Sequence, residues 1–560
     1  MILNTFLYIF YFFLLIFSIL GYGLFFLSIT NLNWKKLSIG IQGLIGVFFS
    51  TFLSYVTHFF LPHNFIHNIF FHLLGIIFFL FFLRKNTLIF TVTNKLFIFI
   101  ILYISCLFLS KNHEDFSYYH LPYMIHLVEN KLQFGIGLFN IAFKTPSSLF
   151  YLQSTFYLPY LNFYLFHSAG LIILVFASIF LLDYFLNDKK KLFIKIIASL
   201  CFVFLNVTFG RLGAYGTDRA GQIISFVIFI LLIEIFNNKK SIENELNIKI
   251  LTIFIFYILT IKAYFFPYLI ALIFLLIFKY KLFYSFLKDY KIIIFLSFFF
   301  LIFLFINFSN SGCFLYPLKQ TCFDNFSWSK GSYAAAEHYS KWYELWAKAG
   351  ATPNYRVENP ETYIKLLNWV PNWINNYFFG KMTDIILIIF FIVTIYIIFM
   401  KKNNKKKKQK NFFFLIYFFL ILLLLIWFNK HPDLRYGGYV LFALAFFIPL
   451  ANYLSKEGKI NVKKFFVLVS VLSIVIFNTK NILRIKAEII DQRELYSYKN
   501  FPFFNIIKPK YKIIMLNDNS RAYLISEGEK CWATPSPCID SVLNRKTLNN
   551  YKIFYKEITE

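Results

Sequence analysis

Apolar runs close to 20 residues long recur along the whole chain. A helical run of about 20 residues spans the hydrocarbon core of a bilayer, and repeated runs are typical of helical membrane proteins. The composition agrees, since 59% of the 560 residues are hydrophobic and 15% are charged, whereas soluble domains carry about 25% charged residues. The sequence therefore predicts an all-α polytopic membrane protein.

A window of about 20 residues predicts about 14 spans. The first run has neither a basic segment before it nor a small-residue cleavage site, so we interpret it as a retained helix and not as a signal peptide. Lys262 and Pro267 interrupt one long run at 248–279, which we divide into two spans. The predicted spans lie near 3–29, 38–60, 66–83, 95–110, 167–186, 192–209, 220–236, 248–263, 265–279, 291–308, 382–400, 411–428, 436–454 and 463–479.

Basic clusters between the runs predict the orientation, because cytoplasmic loops carry an excess of Lys and Arg. The strongest is KKNNKKKKQK at 401–410. With these clusters inside, the loops 111–166 and 309–381 and the tail from about 480 are extracytoplasmic. The net charge of +29 comes from such clusters and not from a basic stripe interleaved with aromatic residues on a soluble segment, so no nucleic-acid partner is predicted.

The extracytoplasmic segments also carry a predicted local structure. Residues 116–130 and 149–165 have apolar residues at helical spacing mixed with polar ones, which predicts amphipathic helices on the membrane surface. Short β-like runs in the tail, at 512–516, 522–525 and 551–555, predict a small α+β or β region.

Two pairs of cysteines lie close together in polar segments: Cys313 with Cys322, and Cys531 with Cys538. Close pairs of this kind form disulfides in an oxidising compartment. The predicted orientation places both pairs outside the cytoplasm independently of the cysteines, so we expect two disulfide bonds.

The segment KNHEDFSYYHLPY at 111–123 places two adjacent carboxylates, Glu114 and Asp115, at the end of an apolar run. Charge where a span meets water is costly unless it has a role. A partly desolvated carboxylate can act as a general base; the alternative is that it starts or caps the following helix. The neighbours Tyr119 and His120 favour the chemical role.

Further charges lie at predicted external span ends. Asp218 and Arg219 precede the seventh span, where the carboxylate either caps the helix or joins a binding site. Lys262 either snorkels to the interface or meets a lipid phosphate. Arg435 either anchors a span at the interface or binds phosphate through two hydrogen bonds. The histidines and carboxylates of 113–126 lack the tight ligand spacing of a metal site, so no metal ligand is assigned.

Together these features resemble the GT-C superfamily of polytopic membrane glycosyltransferases, in particular an uncharacterised bacterial branch. The seven predicted spans from 95–110 to 291–308, bounded by two large external loops, resemble the seven-helix GT-C module. The resemblance covers about residues 95–381. The matching segments are Glu114-Asp115-Phe-Ser-Tyr-Tyr-His-Leu-Pro122, Thr217-Asp218, Lys262 and Ser311-Gly-Cys-Phe-Leu-Tyr-Pro317.

The resemblance implies a division of the chain into five parts. They are 1–94, the N-terminal extra spans; 95–308, the GT-C-like seven-span module with its external loop 111–166; 309–381, an external loop; 382–479, the C-terminal spans; and 480–560, the extracytoplasmic tail.

The resemblance also implies the activity. Members move a sugar from a polyprenyl-phosphate donor in the outer leaflet of the bacterial inner membrane to a glycan, lipid or protein acceptor. Asp115, with Glu114 as its neighbour or substitute, is then the base of an inverting displacement. Some branches use a divalent metal, and no other cofactor is implied. The residues assigned to the substrate or lipid phosphate are Asp218, Arg219, Lys262, Arg435, His120 and Tyr119.

Three alternatives stay open. A surface-polysaccharide polymerase or ligase of the O-antigen type also has many spans, and His431 and Arg435 suit it. A lipid or glycan transporter is disfavoured, because the sequence lacks two halves with matching broken helices. A membrane protein without chemistry would leave Asp115, Asp218 and Lys262 apart in space.

Overall fold

A computed structural model describes residues 2–85, 88–109, 114–210, 212, 216–237, 241–350, 357, 359–400, 413–455, 462–491 and 501–556. Most of these residues are helical, as predicted, and a small β region lies near the C-terminus. The helices are α1 (Ile2–Ile29), α2 (Ile39–His58), α3 (Phe65–Lys85), α4 (Leu88–Tyr103), α5 (Leu121–Glu129), α6 (Ser148–Ser154), α7 (Ser168–Leu186), α8 (Leu192–Thr208), α9 (Asp218–Asn237), α10 (Ser241–Ile261), α11 (Ile270–Phe278), α12 (Tyr280–Leu287), α13 (Tyr290–Ser311), α14 (Ser332–Lys348), α15 (Pro360–Tyr363), α16 (Val370–Trp373), α17 (Thr383–Met400), α18 (Phe413–Lys430), α19 (Gly438–Leu454) and α20 (Val462–Asp491).

Ten helices of the described residues are long and apolar enough to cross a membrane. The number rises to 11 if the bent pair Ala263–Phe278 and Tyr280–Leu287 is one broken span. Three shorter apolar helices, at Asn94–Phe108, Leu192–Thr208 and Gly438–Leu454, coincide with further predicted spans. These lengths fit a multi-pass membrane protein, and the total of spans stays a prediction. The basic cluster at 401–410, the main orientation marker, lies outside the described residues.

The ninth predicted span is not one straight helix. It begins with the 3₁₀-helix Ala263–Leu269 and continues as α11; beyond the predicted span, the axis turns by 112° into α12. Pro267 lies inside the 3₁₀ segment; because proline has no N–H and a fixed φ, it interrupts regular α-helical hydrogen bonding.

Close backbone contacts join α1 to α2. A Cβ atom on Gly23 would lie 2.0 Å from the carbonyl oxygen of Gln42, and one on Gly46 would lie 2.0 Å from the carbonyl oxygen of Ile19. Helices in a membrane gain affinity by such close approach at small residues, since lipid offers little hydrophobic driving force between them.

Replacing Gly46 by leucine is expected to force α1 and α2 apart and to destabilise the protein by at least about 1–3 kcal/mol, the typical cost of overpacking. Thermal unfolding in detergent, followed by tryptophan fluorescence, measures the effect. Gly380→Leu is the matched control, because among the described residues no atom outside its own helical turn lies within 4 Å of a Cβ built there. Equal melting temperatures for Gly46→Leu and the wild type would contradict the close contact.

The segment after Asp115 differs from the predicted surface helices. It forms the π-helix Phe116–His120 followed by α5, and the second predicted helix shortens to α6. Nearly every residue of α5 and α6 is buried. Two polar residues of α5, His126 and Glu129, contact Ser536 of the tail. These helices therefore pack against other parts of the protein and are not surface helices.

The tail forms two small sheets, as the β-like runs predict. Strand β1 (Tyr511–Met515) pairs antiparallel with β2 (Arg521–Ile525), and β3 (Cys538–Ile539) joins β2 in parallel. A hairpin of β4 (Asn544–Leu548) and β5 (Tyr551–Tyr555) makes the second sheet.

Both expected disulfide bonds are present in the structure. One joins Cys313 to Cys322 and the other joins Cys531 to Cys538. The thiols of Cys106 and Cys201 are buried.

Candidate functional site

Four charged side chains from distant segments meet in one place, which we name the ion cluster: Asp115, Asp218, Lys262 and Arg435. Asp115 immediately precedes the π-helix, and Asp218 is the first residue of α9. Lys262 follows the last residue of α10. Arg435 lies in the 3₁₀ turn between α18 and α19. The cluster therefore depends on the packing of four separate parts of the chain.

Arg435 holds the ion cluster together. Its Nε donates a hydrogen bond to Oδ2 of Asp218 at 2.9 Å, and its Nη2 donates to Oδ2 of Asp115 at 3.3 Å. Nζ of Lys262 lies 3.7 Å from Oδ1 of Asp218. Two cations thus balance two carboxylates, and all four side chains are only partly buried, with exposed fractions of 14–33%.

The local backbone explains why Arg435 lies where it does. The Asp433 side chain starts the turn by accepting a hydrogen bond from the backbone N–H of Arg435 at 2.9 Å. It is held in turn by the hydroxyl of Tyr377 at 2.6 Å. Gly437 ends the turn with φ of +94°, a conformation that glycine adopts without strain. Nε2 of Gln222, in α9, donates to the carbonyl of Arg435 at 2.9 Å and ties the turn to that helix.

Aromatic side chains surround the ion cluster. The guanidinium carbon of Arg435 lies 5.9 Å from the ring centroid of Trp346 and 5.7 Å from that of Tyr436. The hydroxyl of Tyr264 contacts the carbonyl oxygens of Asp218 and Arg435 at 3.4 Å and 3.3 Å. Contacts of an arginine with aromatic faces stabilise by about 0.5–2 kcal/mol each. Trp346 belongs to α14, so this helix covers one side of the cluster.

The sequence prediction did not include these aromatic residues. Tyr339, Tyr343 and Trp346 follow one another on one face of α14 at intervals of four and three residues, the spacing of a helical stripe. This stripe could have predicted that Trp346 packs against another part of the protein. No comparable signal marks Tyr264 or Tyr436.

The structure gives different environments to Glu114 and Asp115, which the sequence alone cannot rank as candidate bases. Asp115 contacts Arg435, whereas the side chain of Glu114 is exposed. Arg219 is half-buried in the first turn of α9, next to Asp218 in the chain. Residues 111–113 lie outside the described residues.

Tyr119 and His120 lie beside the ion cluster. Burial lowers the pKa of His120 to about 3, and the charge of Asp115 acts in the opposite direction. Burial raises the pKa of Tyr119, and Asp115 acts in the same direction. Both side chains are therefore neutral at pH 7, so they can donate or accept hydrogen bonds without adding charge.

The buried imidazole predicts a pH dependence of stability. Since the pKa of His120 is about 3 in the folded protein and 6.5 ordinarily, the unfolded chain binds the proton more readily, and stability falls as the pH drops from 6.5 towards 3. We expect His120→Asn to lose less stability than the wild type between pH 7 and pH 4.5, measured by thermal unfolding. An equal loss in both proteins would contradict a neutral, buried His120.

A cavity of about 680 Å³ lies at the other end of α9, around Asn237. Lysines and carboxylates line it, and two of them form the ion pair of Lys190 with Glu234 at 2.8 Å. Since the α9 residues that line it begin 13 residues after Asp218, at Leu231, this cavity lies about 20–30 Å along the helix from the ion cluster. The cavity and the cluster are therefore separate, and only the cluster contains the residues that the sequence assigns to chemistry.

In the part of the chain that the structure describes, no group of three or more His, Cys, Asp or Glu side chains could hold a metal ion. Two carboxylates are present at the ion cluster, but both face cations. No chemical step below therefore uses a metal.

A family model matches more than half of the chain. The family described as a domain of unknown function (DUF8201) matches residues 5–442. This range contains all four residues of the ion cluster and ends before the tail. No curated protein and no solved structure matches the chain.

Proposed function

The chain belongs to the DUF8201 family, and we propose that it transfers a sugar from a polyprenyl-phosphate donor to a hydroxyl group of a cell-envelope glycan, lipid or protein. The reaction would take place at the extracytoplasmic face of a bacterial inner membrane, where the basic loops predict the cluster to lie. The ion cluster carries the proposal, because it combines one candidate base with two cations at the end of a predicted span.

Asp115 is the proposed base. An acceptor hydroxyl is a poor nucleophile, and a carboxylate within hydrogen-bond reach activates it by taking its proton as the new bond forms. The carboxylate of Asp115 lies 3.3 Å from Nη2 of Arg435, which holds it at the ion cluster. The exposed fraction of the Asp115 side chain is 25%, which leaves access for an acceptor.

Lys262 and Arg435 are the proposed partners of the leaving lipid phosphate. Arginine can bind phosphate through two parallel hydrogen bonds, and lysine adds a compact charge. The contact of Lys262 with Asp218 is long, with Nζ 3.7 Å from Oδ1, so a phosphate oxygen can replace it. Arg435 can keep its 2.9 Å bond to Asp218 and exchange the longer 3.3 Å bond to Asp115 for a phosphate oxygen. Donor binding would then release the carboxylate that serves as base.

The proposed reaction is a single displacement. The acceptor oxygen bonds to the anomeric carbon while the bond from that carbon to the phosphate oxygen breaks. The acceptor proton passes to Asp115, and the bonding electron pair leaves with the lipid phosphate, whose charge the two cations stabilise. Attack from the face opposite the leaving group inverts the anomeric centre.

Labelled donors test the proposal. The purified protein is placed in lipid nanodiscs with a panel of polyprenyl-phosphate hexoses and pentoses, together with an envelope extract as the acceptor source. We expect the label to move from the donor lipid to an acceptor fraction. Absence of transfer from every donor of the panel would contradict the proposal.

The same assay includes the main alternative. A polymerase or ligase would use a glycan linked to polyprenyl diphosphate, and the cations of the ion cluster could hold that group as well. Transfer from diphosphate-linked donors alone would therefore replace our proposal with the polymerase or ligase. Movement of intact donor across a bilayer, without bond cleavage, would replace it with a transporter.

A further inference from the structure

The tail contacts the segment that carries Asp115. The backbone N–H of Trp532 donates to the carbonyl oxygen of Ser117 at 3.1 Å. The ring of Trp532 lies 6.1 Å from that of Phe116, at nearly a right angle. Phe116 is fully buried and is the residue after Asp115. The contact is therefore one to two residues from the proposed base.

A second contact holds the other end of the same segment. The backbone N–H of Ser536 donates to Oε2 of Glu129 at 2.7 Å. The hydroxyl of Ser536 is hydrogen-bonded to Nδ1 of His126, also at 2.7 Å. Glu129 is the last residue of α5. The tail thus contacts both the beginning and the end of the helical segment 116–129.

Both contacts come from one short loop closed by a disulfide bond. Trp532 and Ser536 lie between Cys531 and Cys538, which are bonded to each other. We name residues 531–538 the tail turn. The bond restricts the distance between the two contacts, so the tail turn can act on the segment as a unit.

A third contact fixes the tail on the same part of the protein. Phe134 donates its backbone N–H to the carbonyl of Lys552 and accepts from the N–H of Phe554, both at 2.9 Å. Phe139 also packs against Phe554, with ring centroids 4.6 Å apart. The docking of the tail therefore does not depend on the tail turn alone, and the effect of opening the turn can be measured separately.

We propose that the tail turn positions Asp115 for reaction by holding the segment 116–129 so that the carboxylate at its start meets Arg435. The inference rests on the proposed sugar transfer for its activity readout. It gives a role in the site to a part of the chain beyond the residues that the family matches. Misplacement of a catalytic group by about 1 Å can cost about 100-fold in rate, so a positioning element at this place has a measurable effect.

The test opens the tail turn in the full-length protein in nanodiscs. The variants are Cys531→Ser combined with Cys538→Ser, and Trp532→Ala. The matched control is Val542→Ala, whose side chain is in the tail but 67% exposed. The readouts are kcat and donor KM, with the donor of highest wild-type rate, and hydrogen exchange of backbone amides in peptides covering 114–129.

We expect both variants to lower kcat at least about 10-fold with little change in donor KM, and to speed exchange in 114–129. Trp532→Phe should restore part of the rate, because it keeps an aromatic ring against Phe116. The control should match the wild type in both readouts.

Unchanged kcat, or faster exchange confined to the tail itself, would overturn the inference. An inactive wild type would instead contradict the proposed function. In that case, unchanged exchange in 114–129 would also overturn the positioning by the tail turn, and faster exchange there would support it.

Discussion

Replacement of Asp115 by asparagine is expected to lower sugar transfer by a factor of about 10²–10⁴, the usual contribution of a general base. Asparagine has nearly the same shape as aspartate but cannot take the acceptor proton. The fold should persist, because Arg435 keeps its 2.9 Å hydrogen bond to Asp218. Initial rates with a labelled donor in nanodiscs measure the effect, and thermal unfolding verifies that the variant is folded.

Glu114→Gln is the matched control for this prediction. It removes a carboxylate from the neighbouring position, whose side chain is exposed. We expect its rate to stay close to that of the wild type. A wild-type rate for Asp115→Asn would exclude Asp115 as the base, and a large loss for Glu114→Gln alone would transfer that role to Glu114.

The ion cluster shows how far the sequence predicts the site. The sequence places each of its four residues at the end of an apolar run, which assigns them to one layer at the membrane interface. It does not reveal which spans are neighbours within that layer. Asp115 and Arg435 are 320 residues apart in the chain, and their contact depends on how the helices pack side by side.

The buried helix α5 shows why one structural prediction was wrong. Apolar residues at helical spacing, interrupted by polar ones, indicate that one face of a helix is wet or contacts polar groups. They do not indicate which groups those are. His126 and Glu129 meet Ser536, more than 400 residues later, where the interpretation from sequence assumed water and lipid headgroups.

The strands of the tail and the disulfide bonds were easier to predict. Short β-like runs and short cysteine spacing are local signals, and both need few contacts from elsewhere. The aromatic residues around the ion cluster could not be predicted from the sequence, because 22% of the chain is aromatic and a single aromatic residue does not mark a site. Against that background Tyr264 and Tyr436 do not stand out.

Replacement of Arg435 by glutamine is expected to affect stability and transfer together. Within the ion cluster as the structure describes it, Lys262 is then the remaining cation beside Asp115 and Asp218, in a partly buried setting. Removal of one partner from a buried ion pair costs about 3–5 kcal/mol, and exposed pairs contribute about 0–1 kcal/mol. With side chains 14–33% exposed, we expect an intermediate loss of about 1–3 kcal/mol. Transfer should fall by about 10²–10³, as for the loss of one donor to a developing charge.

A second substitution separates these two effects. In the double variant Arg435→Gln with Asp218→Asn, Lys262 again balances a single carboxylate, so the thermal stability should recover in part. Transfer should remain low, because the proposed phosphate-binding guanidinium is still missing. Arg435→Lys should likewise restore stability more than rate, since an ammonium group cannot reproduce two hydrogen bonds in a fixed fork. If the rate recovers together with the stability, Arg435 only supports the fold. If Arg435→Gln keeps the stability and the rate of the wild type, the ion cluster contributes neither to the fold nor to transfer.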